Sequence, residues 1–303
     1  MKRFCYVILQ YGCSDLTAAC VRAIRKLSEQ SLIVVVDNCS PDDAASEIRA
    51  QLDNDSRSYV LELPENVGFS SGNNAGVEYA QSLEEFDYCV VLNSDVVIEQ
   101  PDFEGKVAAS FEQSGCAVLG PDILVPSSGW HQNPFHHFGD RLHPENPSLD
   151  DVREARTILQ AKLDGLDVEF GQSAGRSAAS LSSMAPEQLK RIGRELDFRL
   201  HWNRVLEDTA LQGACLVLSA SALKELGKPF SPVTFLYCEE WILRVNCSHH
   251  GLRMKYDPSI KVLHHEGSST ARSLDEKAIK KQRFTIDCEL KSLDVVERLL
   301  EEL

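Results

Sequence analysis

A chain of 303 residues with 43% hydrophobic and 25% charged side chains has the make-up of an ordinary globular protein, long enough for one large α/β domain or two smaller ones. Acidic residues outnumber basic ones 46 to 31, a formal charge of -15 that repels polyanions and argues against a nucleic-acid partner. A small anionic ligand stays allowed, because a divalent cation held by carboxylates reverses the sign locally.

The apolar start, Phe4 to Leu9, is too short for a secretory leader, and no run approaches the ~20 apolar residues of a membrane span. The ten cysteines lack any CxxC pair and fall largely in strand-like runs, so buried, reduced thiols in a cytoplasmic protein are expected. Over residues 1–125, short apolar runs alternate with amphipathic stretches, the rhythm of a parallel sheet with crossover helices. Strands are predicted at Cys5–Leu9, Leu32–Asp37, Tyr59–Leu63 and Tyr88–Asn93, with helices at Asp15–Ser28, Asp42–Leu52 and Asn73–Leu83.

Residues 126–155 break the rhythm with Pro126, Pro134, Pro144, Pro147 and the histidines 131, 136, 137 and 143, and read as a long irregular loop. The pattern turns helical from Asp151 to Glu207, interrupted by a Gly/Ser/Ala-rich stretch at Gly171–Ser183, so 126–207 reads as a loop and helical insertion. The α/β pattern resumes with a strand at Ala214–Leu218, a helix near Ser221–Leu226, the apolar stretch Val233–Tyr237, a helix through Glu239–His249 and a strand near Lys261–His264. Apolar residues at helical spacing among charges predict an amphipathic helix from Leu274 to Leu303. Four segments follow: 1–125, 126–207, 208–272 and 273–303.

Three of the predicted strands run into polar loops: Asp37-Asn38-Cys39-Ser40, Glu65-Asn66-Val67-Gly68-Phe69 and Asn93-Ser94-Asp95. In open α/β sheets ligands bind beyond the carboxyl ends of the strands, so these turns should converge on one crevice. Asp37 could accept from a ribose hydroxyl or a base N–H, although an Asp there also suits a helix cap. The run from Asn66 to Gly76 could bring backbone N–H groups close to a diphosphate, but it lacks the GxGxxG spacing and reads equally as a tight connection. Asp95, at the tip of a buried strand, is the leading metal ligand, since Mg2+ and Mn2+ take oxygen donors and fill remaining positions with water and phosphate. Glu239-Glu240 could include a general base or simply place favourable charge at a helix start. His264 or His265 could complete a metal site with Asp95; no histidine or cysteine pair has structural-zinc spacing.

Taken in order, VDNCSPDD (36–43), ENVGFSSGNNAG (65–76), LNSD (92–95), LQGACLVL (211–218), FLYCEE (235–240) and HHEGSS (264–269) resemble the family 2 inverting glycosyltransferases, in particular the rhamnosyltransferase-like branch of capsular and O-antigen synthesis. The resemblance spans roughly residues 4–125 and 208–272 and implies a GT-A fold, a Rossmann-like nucleotide-binding mixed α/β sheet flanked by helices, here carrying the helical insertion and the C-terminal helix. It further implies that Asp37, Asn66, Gly68, Gly72 and Asn93 form the nucleotide site, that Asp95 and His264 hold Mg2+ or Mn2+, and that Glu240 is the catalytic base. The expected partners are a nucleotide-diphosphate sugar donor and a glycan or lipid-linked glycan acceptor, with the inner face of the membrane as a candidate location and a homodimer as a candidate assembly. Where many members continue the paired acids with Asp-Leu and a downstream Arg, this chain has Ile242-Leu243-Arg244, which leaves the acceptor open. Two competing readings are a nucleotide-sugar pyrophosphorylase, disfavoured because Gln10 to Asp15 holds no Lys or Arg, and an inactive binding subunit of the same fold.

Overall fold

The computed structural model describes residues 2–41, 43–53, 55–134, 147–169, 202–265 and 276–302. The first half runs β1 (Phe4–Gln10), α1 (Ser14–Leu27), β2 (Leu32–Asp37), α2 (Ala44–Leu52), β3 (Ser58–Glu62), α3 (Gly68–Leu83), β4 (Tyr88–Asn93), β5 (Val96–Val97), α4 (Phe103–Ser114) and β6 (Val118–Val125). There follow β7 (Trp130–His131), α5 (Leu149–Glu169), β8 (Leu206–Glu207), β9 (Cys215–Ser219), α6 (Ala220–Leu226), α7 (Glu239–His249), β10 (Met254–His264) and α8 (Glu276–Glu301).

The strands form one mixed sheet in the order β3-β2-β1-β4-β9-β6-β10-β5, with β7 on β6 and β8 on β10. β3, β2, β1 and β4 are mutually parallel, whereas β9 runs antiparallel to both β4 and β6. The two-residue period of each strand splits the core. Tyr6, Ile8, Ile33, Val35, Val90 and Leu92 face one layer with Ile24 of α1 and Val107 of α4. Cys5, Val7, Val34, Val36 and Val91 face the other, against Val77 and Ala80 of α3 and Leu243 of α7. A third apolar cluster joins Val152 and Leu159 of α5, Trp241 and Ile242 of α7, and Leu293 and Val296 of α8. On its rim Arg156 pairs with Asp294 and, at 2.6 Å, with Glu297.

All ten cysteines are free thiols, most of them buried, and burial pushes those of Cys5, Cys20, Cys215 and Cys247 upward, which keeps them unreactive. No helix among the described residues is long and apolar enough to cross a membrane.

Most predicted elements lie within a few residues of the observed ones, and two of the differences have clear physical causes. α3 starts at Gly68, five residues ahead of the expected Asn73, so Gly72 and Gly76 are helical and not part of a turn. Their bareness serves close helix–sheet approach: a Cβ on Gly72 would lie 2.7 Å from Leu9 Cδ1, and one on Gly76 would lie 2.4 Å from Val7 Cγ1 and 2.6 Å from Val36 Cγ2. β6 was not anticipated because Gly120-Pro121-Asp122 reads as a turn; the strand tolerates Pro121 where its ladder with β10 shifts register between Asp257 and Lys261. α4 also went unpredicted, and the loop expected over 126–155 holds β7 and the start of α5. The stretch Gly171–Ser183 and the histidines 136, 137 and 143 lie outside the described residues.

Alanine normally favours a helix over glycine by about 1 kcal/mol, but at residue 76 the new methyl would collide with two buried strand valines that have little freedom to move. Gly76→Ala is therefore expected to destabilise the protein by about 1–3 kcal/mol, read as a lower urea midpoint at unchanged slope.

Candidate functional site

Because β1, β2 and β4 are parallel and in register, their last residues, Gln10, Asp37 and Asn93, come to the same sheet edge. Asp37 is only 4% exposed; Gln10 Nε2 donates to its Oδ1 at 2.9 Å and the Ser40 backbone N–H to its Oδ2 at 3.1 Å. It does not cap α2, whose first residue is Ala44 and whose preceding residue is Asp43. Each carboxylate oxygen keeps a second lone pair for a ligand donor. Tyr11, 52% exposed, stands on the following residue, and the Gly12 N–H donates to Ser40 Oγ at 2.8 Å, joining the β1 and β2 loops.

The loop carrying Asn66 is tied to the same edge through Asn38. Asn38 Nδ2 donates to Asn66 Oδ1 at 3.0 Å and to the Gly68 carbonyl at 3.1 Å, while the Val67 N–H donates to Asn38 Oδ1 at 3.0 Å. Asn66 thus shapes the loop through its own intramolecular bonds. Gly68 has φ +79°, and a Cβ there would lie 2.2 Å from the Phe235 carbonyl oxygen, so this turn admits only glycine beside the segment leading to α7. Phe69 N–H donates to that same carbonyl at 2.8 Å. Gly72 sits deeper, against Leu9 and 3.6 Å from Asn38 Nδ2 by its missing Cβ, in a packing position beneath the loop.

Past β4, Asn93-Ser94-Asp95 turns into β5, which pairs antiparallel with β10 so that His264 opposes Val96. The His265 N–H donates to the Asp95 carbonyl at 2.9 Å, and His264 Nε2 lies 3.1 Å from Asp95 Oδ1. His264 is 8% exposed, whereas the side chain of His265 is exposed, so the doublet contributes its first imidazole to Asp95. His264 Nδ1 meets Gln132 Oε1 at 2.7 Å, a partner not singled out in the sequence.

Glu239 and Glu240 open α7 directly after Tyr237 and Cys238, two non-glycine residues at φ +71° and +62° that turn the chain sharply. Glu240 reaches out of its helix to accept the Gly213 N–H at 3.2 Å, and a Cβ on Gly213 would lie 3.1 Å from that same oxygen. The next residue, Ala214, accepts the Asn93 N–H at 3.0 Å, which ties Glu240 to the tip of β4. Glu239 points the other way: it is 6% exposed, and burial, then the charge of Glu240, push its carboxyl up to about 8 against the lowering effect of backbone hydrogen bonds. Burial therefore drives Glu239 toward its neutral form.

The residues present fit a divalent cation. Asp95 and His264 offer one oxygen and one nitrogen on facing side chains, a donor set that suits Mn2+ or Mg2+ with positions left over for water and phosphate oxygens. Among the described residues no group of three His, Cys, Asp or Glu converges to hold a metal alone.

The sequence profile described as Glycosyl transferase family 2 matches residues 5–174, more than half of the chain. Comparison with curated protein sequences yields no significant match. Among solved structures, the mannosyltransferase PcManGT from Pyrobaculum calidifontis, in complex with GDP-Man and Mn2+, matches with a TM-score of 0.51 at 11% identity, covering 99% of this chain and 74% of that one. TarS 1-349 from S. aureus, in complex with UDP, matches with a TM-score of 0.50 at 14% identity, covering 100% of this chain and 70% of that one. At such identities the likeness establishes the GT-A fold.

Because the unfolded chain ionises Glu239 near the ordinary carboxylate value while the folded one holds it protonated up to about pH 8, folding binds a proton across that window and stability falls as pH rises through it. Glu239→Gln is expected to be more stable than the wild type at pH 8, by an amount on the order of a few kcal/mol, with the difference vanishing near pH 4. Chemical unfolding of both proteins at the two pH values checks this.

Proposed function

The chain belongs to glycosyl transferase family 2, and from that premise we propose that it is a metal-dependent, inverting glycosyltransferase moving a sugar from a nucleotide-diphosphate donor to a hydroxyl of a glycan. The observation that carries this reading is the meeting of Asp95 and His264, 169 residues apart in sequence, at the sheet edge to which Glu240 is tied through Gly213 and Ala214. Donor use is supported by the two structural neighbours, one solved with GDP-Man and Mn2+ and the other with UDP.

In this reading Asp37 accepts hydrogen bonds from the donor's base or ribose, with Tyr11 offering an exposed ring face at the mouth of the same loop. Asn66, Gly68 and Gly72 shape that pocket by holding the loop against the sheet, and Asn93 lines it at the tip of β4. A divalent cation held by Asp95 and His264 would supply positive charge where the departing diphosphate gathers its negative charge. Glu240, half-buried and outside the dry pocket of Glu239, takes the proton of the acceptor hydroxyl. The acceptor oxygen bonds to the anomeric carbon as the bond from that carbon to the diphosphate oxygen breaks, one displacement that inverts the centre without a covalent enzyme intermediate.

The motif resemblance extends the proposal to cell-surface polysaccharide synthesis of the rhamnosyltransferase-like kind, with a glycan or lipid-linked glycan acceptor, at the cytoplasmic face of the membrane and with a homodimer as its assembly. Residues 1–125 would carry the donor site and 208–272 the acceptor and base, with 126–207 as a loop and helical insertion and 273–303 as a C-terminal helix.

Glu240→Gln is expected to lower the rate of sugar transfer by about 10²–10⁴-fold, and Asp95→Ala to abolish its Mn2+ dependence, both at unchanged thermal stability. Donor turnover is the measurement. A twofold loss in Glu240→Gln would remove that residue from the base role, and wild-type rates in both variants would sink the assignment.

A further inference from the structure

The chemistry around His264 is lopsided in a way that identifies another working residue. The ring is flanked by oxygens on both sides, Gln132 Oε1 at 2.7 Å from Nδ1 and Asp95 Oδ1 at 3.1 Å from Nε2. A neutral imidazole carries one N–H, so it can satisfy one of these acceptors as a donor and must present a lone pair to the other. Gln132 has the shorter contact.

The backbone on both sides of Gln132 is clamped. After β6 the chain turns through Gly129, at φ +68°, and β7 returns alongside, pairing Leu124 with His131. Gln132 N–H continues that ladder by donating to the Ile123 carbonyl at 2.9 Å. Asn133, fully buried, donates from Nδ2 to the Pro121 carbonyl at 2.7 Å and accepts the Gln212 N–H at 2.9 Å. On the other flank His131 is held by Asp122 at 2.6 Å and stacks on Trp202 with ring centres 3.6 Å apart. A side chain aimed from so restrained a backbone is well placed to set the orientation of the ring it touches.

We propose that Gln132 is a positioning residue for the cation site: by accepting the Nδ1 proton through Oε1 it favours, once a cation is bound, the His264 tautomer whose Nε2 lone pair faces the cation shared with Asp95. In that state Nε2 and Asp95 Oδ1 are two electron-pair donors across one gap, which a divalent cation joins. The opposite arrangement, with the Gln132 amide group donating to Nδ1 and Nε2–H donating to Asp95, closes the gap with a hydrogen bond and turns the lone pair away from the metal. The proposal rests on the metal-site reading given above and deepens it.

Two measurements on the full-length chain test it. In the protein loaded with diamagnetic Mg2+, nitrogen-15 shifts of His264 are expected to show the proton on Nδ1 and none on Nε2, and Gln132→Met, a near-isostere that cannot accept the proton, to lose that preference. Titration with Mn2+ alone, followed by electron paramagnetic resonance, is expected to show a loss of about 10- to 100-fold in affinity for Gln132→Met, and near wild-type affinity for Gln132→Glu, which retains an acceptor oxygen. A protonated Nε2 in the Mg2+-loaded wild type, unchanged Mn2+ affinity in Gln132→Met, or equal losses in the Met and Glu variants would each overturn the assignment. His264→Ala separates the two levels: if it leaves Mn2+ binding intact the metal site itself is misplaced, whereas if it abolishes binding that Gln132→Met retains, only the role of Gln132 falls.

Discussion

The short antiparallel ladder between β5 and β10 is the constraint on which the site depends. It pairs only two residues with two, His264 with Val96 and Leu263 with Val97, yet it fixes where the turn after β4 can go. Val96 and Ile98 on one side and Val262 on the other are buried, so the ladder is held by apolar contact as well as by its hydrogen bonds, each worth a net ~1 kcal/mol. Its last bond, from the His265 N–H to the Asp95 carbonyl, sets the backbone of both side chains that meet across the gap. β10 in turn lies parallel to β6, and β6 brings the hairpin that carries Gln132.

Holding so many polar groups at the rim of a packed sheet requires that each find a partner, since an unsatisfied buried donor or acceptor costs about 1–3 kcal/mol. Asp37 and Asn38 meet that condition through Gln10, Ser40, Asn66 and the backbone of residues 67 and 68. Glu239 Oε1 does not; it is buried without a hydrogen bond. Protonation removes most of the penalty that an ionised carboxylate would carry there and relieves its repulsion from the neighbouring Glu240.

How much of this was legible in the sequence depends on whether the signal was local. Strands β1, β2 and β4 announce themselves as apolar runs, and the polar residues after β2 and β4 mark the functional edge because a parallel sheet must place all its strand ends together. Helix α7 was read with its observed bounds, since its acidic start and apolar spacing both lie within the segment. The glycines of α3 misled for the opposite reason: glycine signals a turn by its own propensity, whereas Gly72 and Gly76 answer to strand side chains far away in sequence. β6 was hidden by Pro121, whose missing N–H matters little at an irregular point of the ladder. Gln132 was illegible altogether, because nothing about a glutamine in a proline-rich loop reveals that a histidine 132 residues later will stop beside its oxygen. Between Glu239 and Glu240 the sequence chose Glu240 by motif resemblance alone; the burial of Glu239 is what the structure adds.

The connections between the donor side and the base side of the site run through the main chain. Phe69 N–H bonds to the Phe235 carbonyl and Asn93 N–H to the Ala214 carbonyl. Backbone links of this kind give a relative position that side-chain rotamers cannot relax, the fixity that the displacement proposed above requires of its reacting atoms. They also mark where a side chain would intrude. A side chain on Gly213 would press on the Glu240 carboxylate at 3.1 Å, and one on Gly68 would drive into the Phe235 carbonyl. At these two positions the absence of a side chain lets the segments that carry Phe235 and Glu240 approach the sheet edge closely, as the proposed site requires.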